Sequence, residues 1–185
     1  MSNSQSNQVN HWCRVAMNRE TNILVNALNY KNYDVLEISG TGWRDFGFRS
    51  YSSAQYPAFD ICSQKIEQSF DLIIAEQVFE HLRYPARAAK NVLDSLRAGG
   101  HFLITTPFLI KNHPSPNDYW RWTAQGMQAF LEDVGFHVLD AKAWGNRMCV
   151  TENFDVWPMF DQTSHSLENE VDFPLVVWAL AKKII

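Results

Sequence analysis

Apolar positions come in short blocks along the chain, and longer stretches of apolar residues at helical spacing separate most of these blocks. Short apolar runs bounded by turn residues are typical of strands buried on both faces. Apolar residues at intervals of three and four predict amphipathic helices. Strands are predicted at 34–39, 56–62, 70–75, 101–106, 136–143 and 174–182, and helices at about 9–29, 84–97 and from Thr123 to Gly135. This alternation predicts βαβ units and an α/β fold with a parallel sheet.

The length of 185 residues is enough for one domain with a full core and too short for two. Residues 1–10 are polar and uncharged, so we expect a disordered tail followed by a single domain over 11–185, with neither a signal peptide nor an amphipathic anchor. The longest clean apolar run, 175–181, is far too short to cross a membrane.

The charge and the cysteine content limit the possible binding partners and the cellular compartment. The net charge of -4 and the absence of a Lys/Arg cluster disfavour a nucleic-acid partner. The three cysteines are scattered and odd in number, which fits neither a disulfide framework nor a zinc site. A reducing cytoplasm is therefore the predicted compartment.

The segment Glu37-Ile38-Ser39-Gly40-Thr41-Gly42 ends the first predicted strand with a loop of small residues. Small residues let the backbone approach a ligand closely. The Glu37 carboxylate could accept hydrogen bonds from the loop amides and hold their shape. A strand followed by an ordinary turn is the alternative interpretation.

Polar residues cluster where the predicted strands end, at 37–42, Asp60, 76–81 and 106–117. Open parallel sheets bind their ligands at this edge. Asp60 follows Gly42 by eighteen positions, at the end of the second predicted strand. An acidic residue there can accept hydrogen bonds from both hydroxyls of a ribose, although a solvated turn aspartate fits equally well.

A set of ordered motifs between about residues 30 and 145 resembles class I S-adenosylmethionine-dependent methyltransferases. The motifs are Val35–Gly42, Phe70–Ile73, Glu80-His81-Leu82, Leu96–Gly100 and Thr105-Thr106-Pro107. The later segment Asp118–Thr123 also resembles a subset of this family. The resemblance implies a Rossmann-like, doubly wound, mostly parallel sheet of seven strands with the last strand antiparallel. It also implies S-adenosyl-L-methionine as the cofactor.

Roles for individual residues follow from the resemblance alone. Glu37, Ser39, Gly40 and Gly42 would shape the loop under the methionine part of the donor, and Asp60 would hold its ribose. Glu76 and Gln77 would flank the donor, and His81 would lie near the methyl-transfer end.

Two departures from the family pattern matter. Ser39 stands where a glycine is common, and its side chain restricts the turn. Only residues 63–69 separate the second predicted strand from Phe70, so one strand of the β2–β4 region and the adenine pocket are reduced or absent. This shortening motivates an alternative: a methyltransferase-like binding module without catalysis.

Methyl transfer from a sulfonium is an in-line displacement that depends mainly on positioning, and a protonated oxygen or nitrogen acceptor also needs a general base. The catalytic candidates are His81, His113 and Asp118, with a structural histidine as the alternative for His81. Glu76, Glu80 and His81 could act as metal ligands, but no partner cluster in the sequence supports them, so no metal is predicted.

The sequence therefore predicts a cytoplasmic methyltransferase that acts on a small-molecule or carbohydrate-like acceptor. Loops 43–56, 107–122 and 145–172 would form the acceptor site, where Trp120 and Trp122 either wall the pocket or pack a loop onto the core. A nucleotide-binding oxidoreductase is a further alternative, which the absence of a full Gly-x-Gly-x-x-Gly motif disfavours.

Overall fold

The computed structural model describes residues 11–184, so the tail predicted at 1–10 lies outside the described residues. Two single 3₁₀ turns, Tyr30–Asn32 and Phe79–His81, complement the longer elements. The helices are α1 (Trp12–Asn26), α2 (Pro85–Ser95), α3 (Ala124–Val134) and α4 (Arg147–Asp155). The strands are β1 (Asp34–Ile38), β2 (Ser50–Ala54), β3 (Phe70–Glu76), β4 (Leu96–Pro107), β5 (Phe136–Trp144) and β6 (Val176–Lys183).

The described residues form one sheet of six strands in the order β2-β1-β3-β4-β6-β5. Strands β2, β1, β3 and β4 are parallel, and β6 runs antiparallel to both β4 and β5. The mostly parallel α/β sheet and its antiparallel last strand are confirmed. The seven strands that the resemblance implied are not: residues 55–69, which connect β2 to β3, contain turns and no strand. The reduced region expected there is thus confirmed.

The second strand was predicted at the wrong place. Residues 56–62 form turns, and β2 lies earlier, at Ser50–Ala54, within a segment predicted as a loop or broken helix. β2 is an edge strand with three serines among its five residues, so it has no apolar run that could reveal it in the sequence. Its regularity comes from parallel pairing with β1 along its whole length.

The boundary between α2 and β4 also differs from the prediction. Gly99 and Gly100 do not end the helix; α2 stops at Ser95, and both glycines lie inside β4. The pairing of β4 with β3 shifts register at this point. A Cβ on Gly100 would lie 2.9 Å from the Arg97 carbonyl oxygen, so this irregularity requires glycine.

The two faces of the sheet are covered differently. Helices α2 and α3 pack on one face. Thr123 caps α3 through the Gly126 amide, and Gly135 ends it in the left-handed conformation. On the other face, α1 is joined by the loop at 39–49, which contains no helix and instead packs Trp43, Phe46 and Phe48 around Tyr30. This loop leaves the carboxyl ends of β1 and β3 accessible.

Candidate active site

The loop after β1 is organised by one buried carboxylate. Glu37 is 2% exposed, and its Oε1 accepts a hydrogen bond from the Gly42 amide at 3.0 Å. Its Oε2 accepts from the Trp43 amide at 3.0 Å and from the Tyr51 hydroxyl at 2.6 Å. Burial, together with the Glu37 carboxylate, raises the pKa of Tyr51 well above its usual value. The geometry is the one the sequence predicted for Glu37, with Tyr51 as an additional donor.

Gly40 and Gly42 differ in the space that surrounds the position of a Cβ atom. A Cβ on Gly40 would lie 2.2 Å from Glu37 Oε1, a separation that side chains do not tolerate. A Cβ on Gly42 would lie 3.8 Å from the same atom, an ordinary contact. The protein itself therefore excludes a side chain at Gly40, whereas the space beside Gly42 is open to a ligand.

Among residues 11–184, two non-glycine residues have left-handed backbone conformations, and both follow neighbouring strands of the sheet. Ser39, after β1, has φ 54°, and Gln77, after β3, has φ 56°. Such conformations are uncommon outside glycine and cluster at functional sites. The Gln77 conformation is fixed by its amide, which donates to the Thr105 carbonyl of β4 at 3.0 Å.

A first cavity of about 460 Å³ lies between α1, the glycine loop and the end of β3. At its wall the Glu76 carboxylate accepts hydrogen bonds from Arg14 Nη1 at 2.6 Å and from Trp43 Nε1 at 3.1 Å. The volume is in the range of small-molecule and cofactor sites. The lining residues are His11, Arg14, Asn18, Asn22, Glu37, Ser39, Gly40, Thr41, Gly42, Trp43, Phe46 and Glu76.

A second cavity of about 310 Å³ shares His11 and Arg14 with the first, so the two cavities adjoin. It lies under the loop that follows β4. Its other lining residues are Cys13, Gln77, His81, Pro107, Ile110, His113, Ser115, Trp157, Leu175 and Val176.

The loop after β4 folds back onto the turn that follows β3. The Glu80 carbonyl accepts hydrogen bonds from the amides of Tyr119 at 2.8 Å and Trp120 at 3.3 Å. The indole Nε1 of Trp120 donates to the Leu82 carbonyl at 2.8 Å. These bonds bring residues around position 113 over the Phe79–His81 turn.

His113 is held by Asp118. The Oδ2 atom of Asp118 accepts from the His113 amide at 2.9 Å and lies 3.2 Å from His113 Nδ1. Arg121 binds the same carboxylate, with Nη2 at 2.6 Å from Oδ2, and this ion pair, together with the bonds from His113, holds the pKa of Asp118 far below its usual value. The nearby carboxylates of Glu80 and Asp118 raise the pKa of His113 against the opposing effect of burial.

His81 and His113 both face Glu80. His81 Nδ1 lies 2.6 Å from the Asn117 carbonyl oxygen, and its Nε2 lies 3.5 Å from Glu80 Oε1. His113 Nε2 lies 3.7 Å from the same oxygen. The Glu80 side chain is fully buried, and neither of its oxygens has a hydrogen-bond partner among residues 11–184.

The structure brings most of the predicted site residues together. Asp60 is an exception, because it lines neither cavity formed by the described residues. Its carboxylate accepts from the Cys62 amide and the Ser63 hydroxyl, both at 2.9 Å. Glu37, Ser39, Gly40, Gly42 and Glu76 line the first cavity; Gln77, His81 and His113 line the second, with Asp118 behind His113.

The residue that follows β2 at the carboxyl edge of the sheet is Gln55. Its Nε2 donates to the Gly40 carbonyl at 2.7 Å, as does the Ser53 hydroxyl at 2.6 Å. Because the second strand was misplaced, the residue predicted at its end was Asp60, whereas the residue that follows β2 is Gln55.

Arg14, Trp43 and Trp157 line the two cavities and were not among the predicted site residues. Arg14 is a polar residue on α1, and only the packing of α1 over the strand ends places it at Glu76. Trp43 and Trp157 lie within loops predicted to form the acceptor site, and the ring of Trp157 lies 5.8 Å from that of His113. Trp122 packs on the Phe130 ring at 5.5 Å, in agreement with the packing interpretation.

Comparisons with known proteins concern the family and the fold of the chain. The family model described as "Methyltransferase domain" matches residues 11–158. No protein with a curated description matches the sequence. Among the helices that the structure describes, none has the length and apolar character to cross a membrane.

Solved structures share the fold at low sequence identity. An S-adenosylmethionine-dependent methyltransferase from Mesorhizobium loti has a TM-score of 0.58 at 15% identity, covering 86% of this chain and 95% of its own. A 1,6-didemethyltoxoflavin-N1-methyltransferase from Burkholderia thailandensis, solved with its substrate and S-adenosylhomocysteine, has a TM-score of 0.61 at 15% identity and covers 92% and 79%. The [4+2]-cyclase SpnF has a TM-score of 0.60 at 16% identity and covers 90% and 81%.

Proposed function

Because this chain belongs to the methyltransferase-domain family, we propose that its two cavities hold the methyl donor and a small acceptor side by side. The chain is an S-adenosylmethionine-dependent methyltransferase with a Rossmann-like fold. The observation that carries the proposal is the adjacency of the two cavities. One lies against the glycine loop, the other is lined by His81 and His113, and they meet at His11 and Arg14.

The first cavity is our proposed donor site. The backbone of residues 39–42 would lie against the methionine part, with Gly42 leaving the room that a ligand needs. Glu76 and Gln77 would flank the donor from the end of β3, and Arg14 would hold Glu76 in place. S-adenosylmethionine supplies an electrophilic methyl group on a sulfonium when bound; the protein's part is to orient it and to exclude water.

The second cavity is our proposed acceptor site. Its volume of about 310 Å³ and its mixture of histidines with Trp157 suit a small molecule or a sugar-like ring, which can stack on an aromatic face. His113 would receive the proton of the acceptor, and Asp118 would position its ring. His81 would contact the acceptor from the opposite side.

The proposal also covers the binding partner and the cellular compartment. A net charge of -4 favours a small molecule over nucleic acid. The thiols of Cys13, Cys62 and Cys149 are free and buried, which favours a reducing cytoplasm.

A binding module without catalysis is the second candidate. It is favoured by residues 55–69, where the structure has turns in place of the strand expected beside β2. The fold also does not decide the reaction, since one of the similar structures is a [4+2]-cyclase.

Calorimetry with S-adenosylmethionine and S-adenosylhomocysteine tests the donor site directly. We expect dissociation constants in the micromolar range. If neither compound gives a heat of binding or a shift in melting temperature at millimolar concentration, the result would favour the binding module. Once an acceptor is known, His113→Ala and Asp118→Asn should lower turnover and leave the affinity for S-adenosylhomocysteine within about twofold, since neither residue lines the first cavity.

A matched pair of substitutions tests whether Gln55, after β2, or Asp60, the residue predicted to hold the ribose, supports donor binding. Gln55→Ala removes a hydrogen bond to the Gly40 carbonyl, and we expect S-adenosylhomocysteine to bind about tenfold more weakly. Asp60→Ala should change the affinity by about twofold or less, because its carboxylate is used within its own turn. The reverse order in calorimetry would restore the sequence prediction that Asp60 holds the ribose.

A further inference from the structure

We infer that Glu80, His81 and His113 form a binding site for a divalent transition-metal ion, such as Zn²⁺, at the second cavity. Each residue offers one ligand atom, and these atoms all lie within 4.8 Å of one another. Two histidines and one carboxylate are a ligand set that proteins use for catalytic zinc and for mononuclear iron. The sequence alone offered Glu80 and His81 without a partner; the folded loop after β4 supplies His113.

The buried Glu80 carboxylate is the observation that points to a cation. It is fully buried, and neither oxygen is hydrogen-bonded within the described residues. The imidazole nitrogens at 3.5 Å and 3.7 Å are close to Oε1 but too far for good hydrogen bonds. Proteins rarely bury a carboxylate unless it is paired or coordinates a metal.

The second observation is the orientation of both imidazoles. The Asn117 carbonyl can only accept a hydrogen bond, so His81 Nδ1 carries a proton. The ionised Asp118 carboxylate likewise accepts from His113 Nδ1. Each Nε2 therefore directs its lone pair towards Glu80 when the ring is neutral. Metal-ligating histidines are usually oriented in this way, by a carboxylate or a backbone carbonyl on the other nitrogen.

Two of the three distances between the possible ligand atoms are close to those of tetrahedral coordination. Ligands about 2.1 Å from a tetrahedral Zn²⁺ lie about 3.4 Å apart. The two contacts of Glu80 Oε1 are 3.5 Å and 3.7 Å. The side chains of His81 and His113 are 15% and 25% exposed, so small rotations can complete the site. Three protein ligands leave one position open towards the cavity, as in catalytic zinc sites.

The role of the ion rests on the proposed function, although its binding does not. An acceptor hydroxyl coordinated at the open position would lose its proton to solvent more readily. The acceptor oxygen then forms a bond to the methyl carbon while the sulfonium–methyl bond breaks, and S-adenosylhomocysteine leaves. In this arrangement His113 is a ligand, and the ion replaces it in activating the acceptor.

The test uses the full chain without a polyhistidine tag, stripped with EDTA and titrated with Co²⁺ or Zn²⁺ alone. We expect one ion per chain, with visible Co²⁺ absorption bands of a low-coordinate site. His81→Asn and His113→Asn should each weaken binding by about a hundredfold, and Asp118→Asn by about tenfold through the orientation of His113. His137→Asn, which changes an exposed histidine on β5, is the matched control and should bind as the parent does.

Two outcomes would overturn the inference: a parent protein that retains no stoichiometric ion, or equal affinity in the parent and in His113→Asn. In either case the histidines serve only as hydrogen-bonding or protonated partners of Glu80. The histidine variants test ion binding without any substitution of the buried Glu80. Calorimetry with S-adenosylhomocysteine on the same preparations separates the proposals, since ion binding without donor binding would reject only the methyl-transfer role.

Discussion

Two buried glutamates at the same edge of the sheet have opposite environments. Glu37, in β1, accepts three hydrogen bonds, from two loop amides and the Tyr51 hydroxyl. Glu80, in the turn after β3, is buried at least as deeply, and its carboxylate accepts none from the described residues. The two histidines near it are oriented by other groups.

The Glu37 carboxylate stabilises the backbone of a binding site, whereas the Glu80 carboxylate lacks a hydrogen-bond partner within residues 11–184, and a ligand could supply one. A fully hydrogen-bonded buried carboxylate stabilises the backbone around it, and its removal leaves several donors without acceptors. An unpaired buried carboxylate destabilises the free protein and persists where something binds it. The first cavity is thus preorganised by the protein, whereas beside the second cavity the Glu80 carboxylate has no hydrogen-bond partner among the described residues.

The largest effect is expected for Glu37→Gln. The substituted amide group would direct its own donors at the Gly42 or Trp43 amides, so hydrogen bonds to a charged acceptor are lost. We expect the free energy of unfolding to fall by about 2–4 kcal/mol, given about 1.5–3 kcal/mol for each such bond and incomplete additivity. Urea denaturation measures this loss. A change below about 1 kcal/mol would mean that Glu37 does not organise the loop.

The glycine pair gives the next largest effect. Gly40→Ala places a Cβ 2.2 Å from Glu37 Oε1, so the loop or the carboxylate must move, at a cost of about 2 kcal/mol. Gly42→Ala meets its first neighbour at 3.8 Å and should fold as the parent does. Denaturation measures the first variant and calorimetry with S-adenosylhomocysteine the second. A folded Gly42→Ala protein with weakened binding would locate the ligand beside Gly42; full binding would place it elsewhere.

A smaller effect is expected for Glu80→Gln, the isosteric counterpart of Glu37→Gln. Without metal, removal of a buried carboxylate that accepts no hydrogen bond from the described residues should change the free energy of unfolding by less than about 1 kcal/mol in either direction. With excess Zn²⁺, the melting temperature of the parent should rise and that of Glu80→Gln should not. A loss as large as that of Glu37→Gln would show that Glu80 has partners that stabilise the free protein.

The smallest effect is expected for Ser39→Gly. Ser39 has φ 54°, which glycine adopts without strain, whereas glycine also loses more entropy on folding. The net gain in the free energy of unfolding should be about 0.5 kcal/mol, measured in urea, with S-adenosylhomocysteine affinity unchanged. Weaker binding in this variant would show that the serine side chain itself takes part in the donor site.

The sequence predicted those parts of the fold and site that depend on neighbours in the chain. β1, β3 and α3 have clear apolar patterns, and Glu37 lies a few residues from the amides that it binds. β2 was misplaced because its pairing with β1, and not its composition, makes it a strand. Asp60 was chosen as the ribose residue as a result.

Contacts between distant segments could not be predicted in the same way. Arg14 reaches Glu76 only because α1 packs over the strand ends. His113 meets Glu80 only because the amides of Tyr119 and Trp120 bind the Glu80 carbonyl. Neither encounter leaves a periodic pattern or a short motif, so the three possible ligands of the second cavity were not recognised as one cluster.

The sheet ends at β2 within the described residues, and this boundary has a consequence for self-association. An edge strand exposes unpaired amides and carbonyls that can recruit a strand from another molecule and start aggregation. β2 has only five residues, three of them serine, and its side chains give a partner little apolar surface. Short polar edges are one means by which proteins in concentrated solution avoid sheet extension. The serine-rich composition that hid β2 in the sequence thus makes this open edge a poor template for intermolecular pairing.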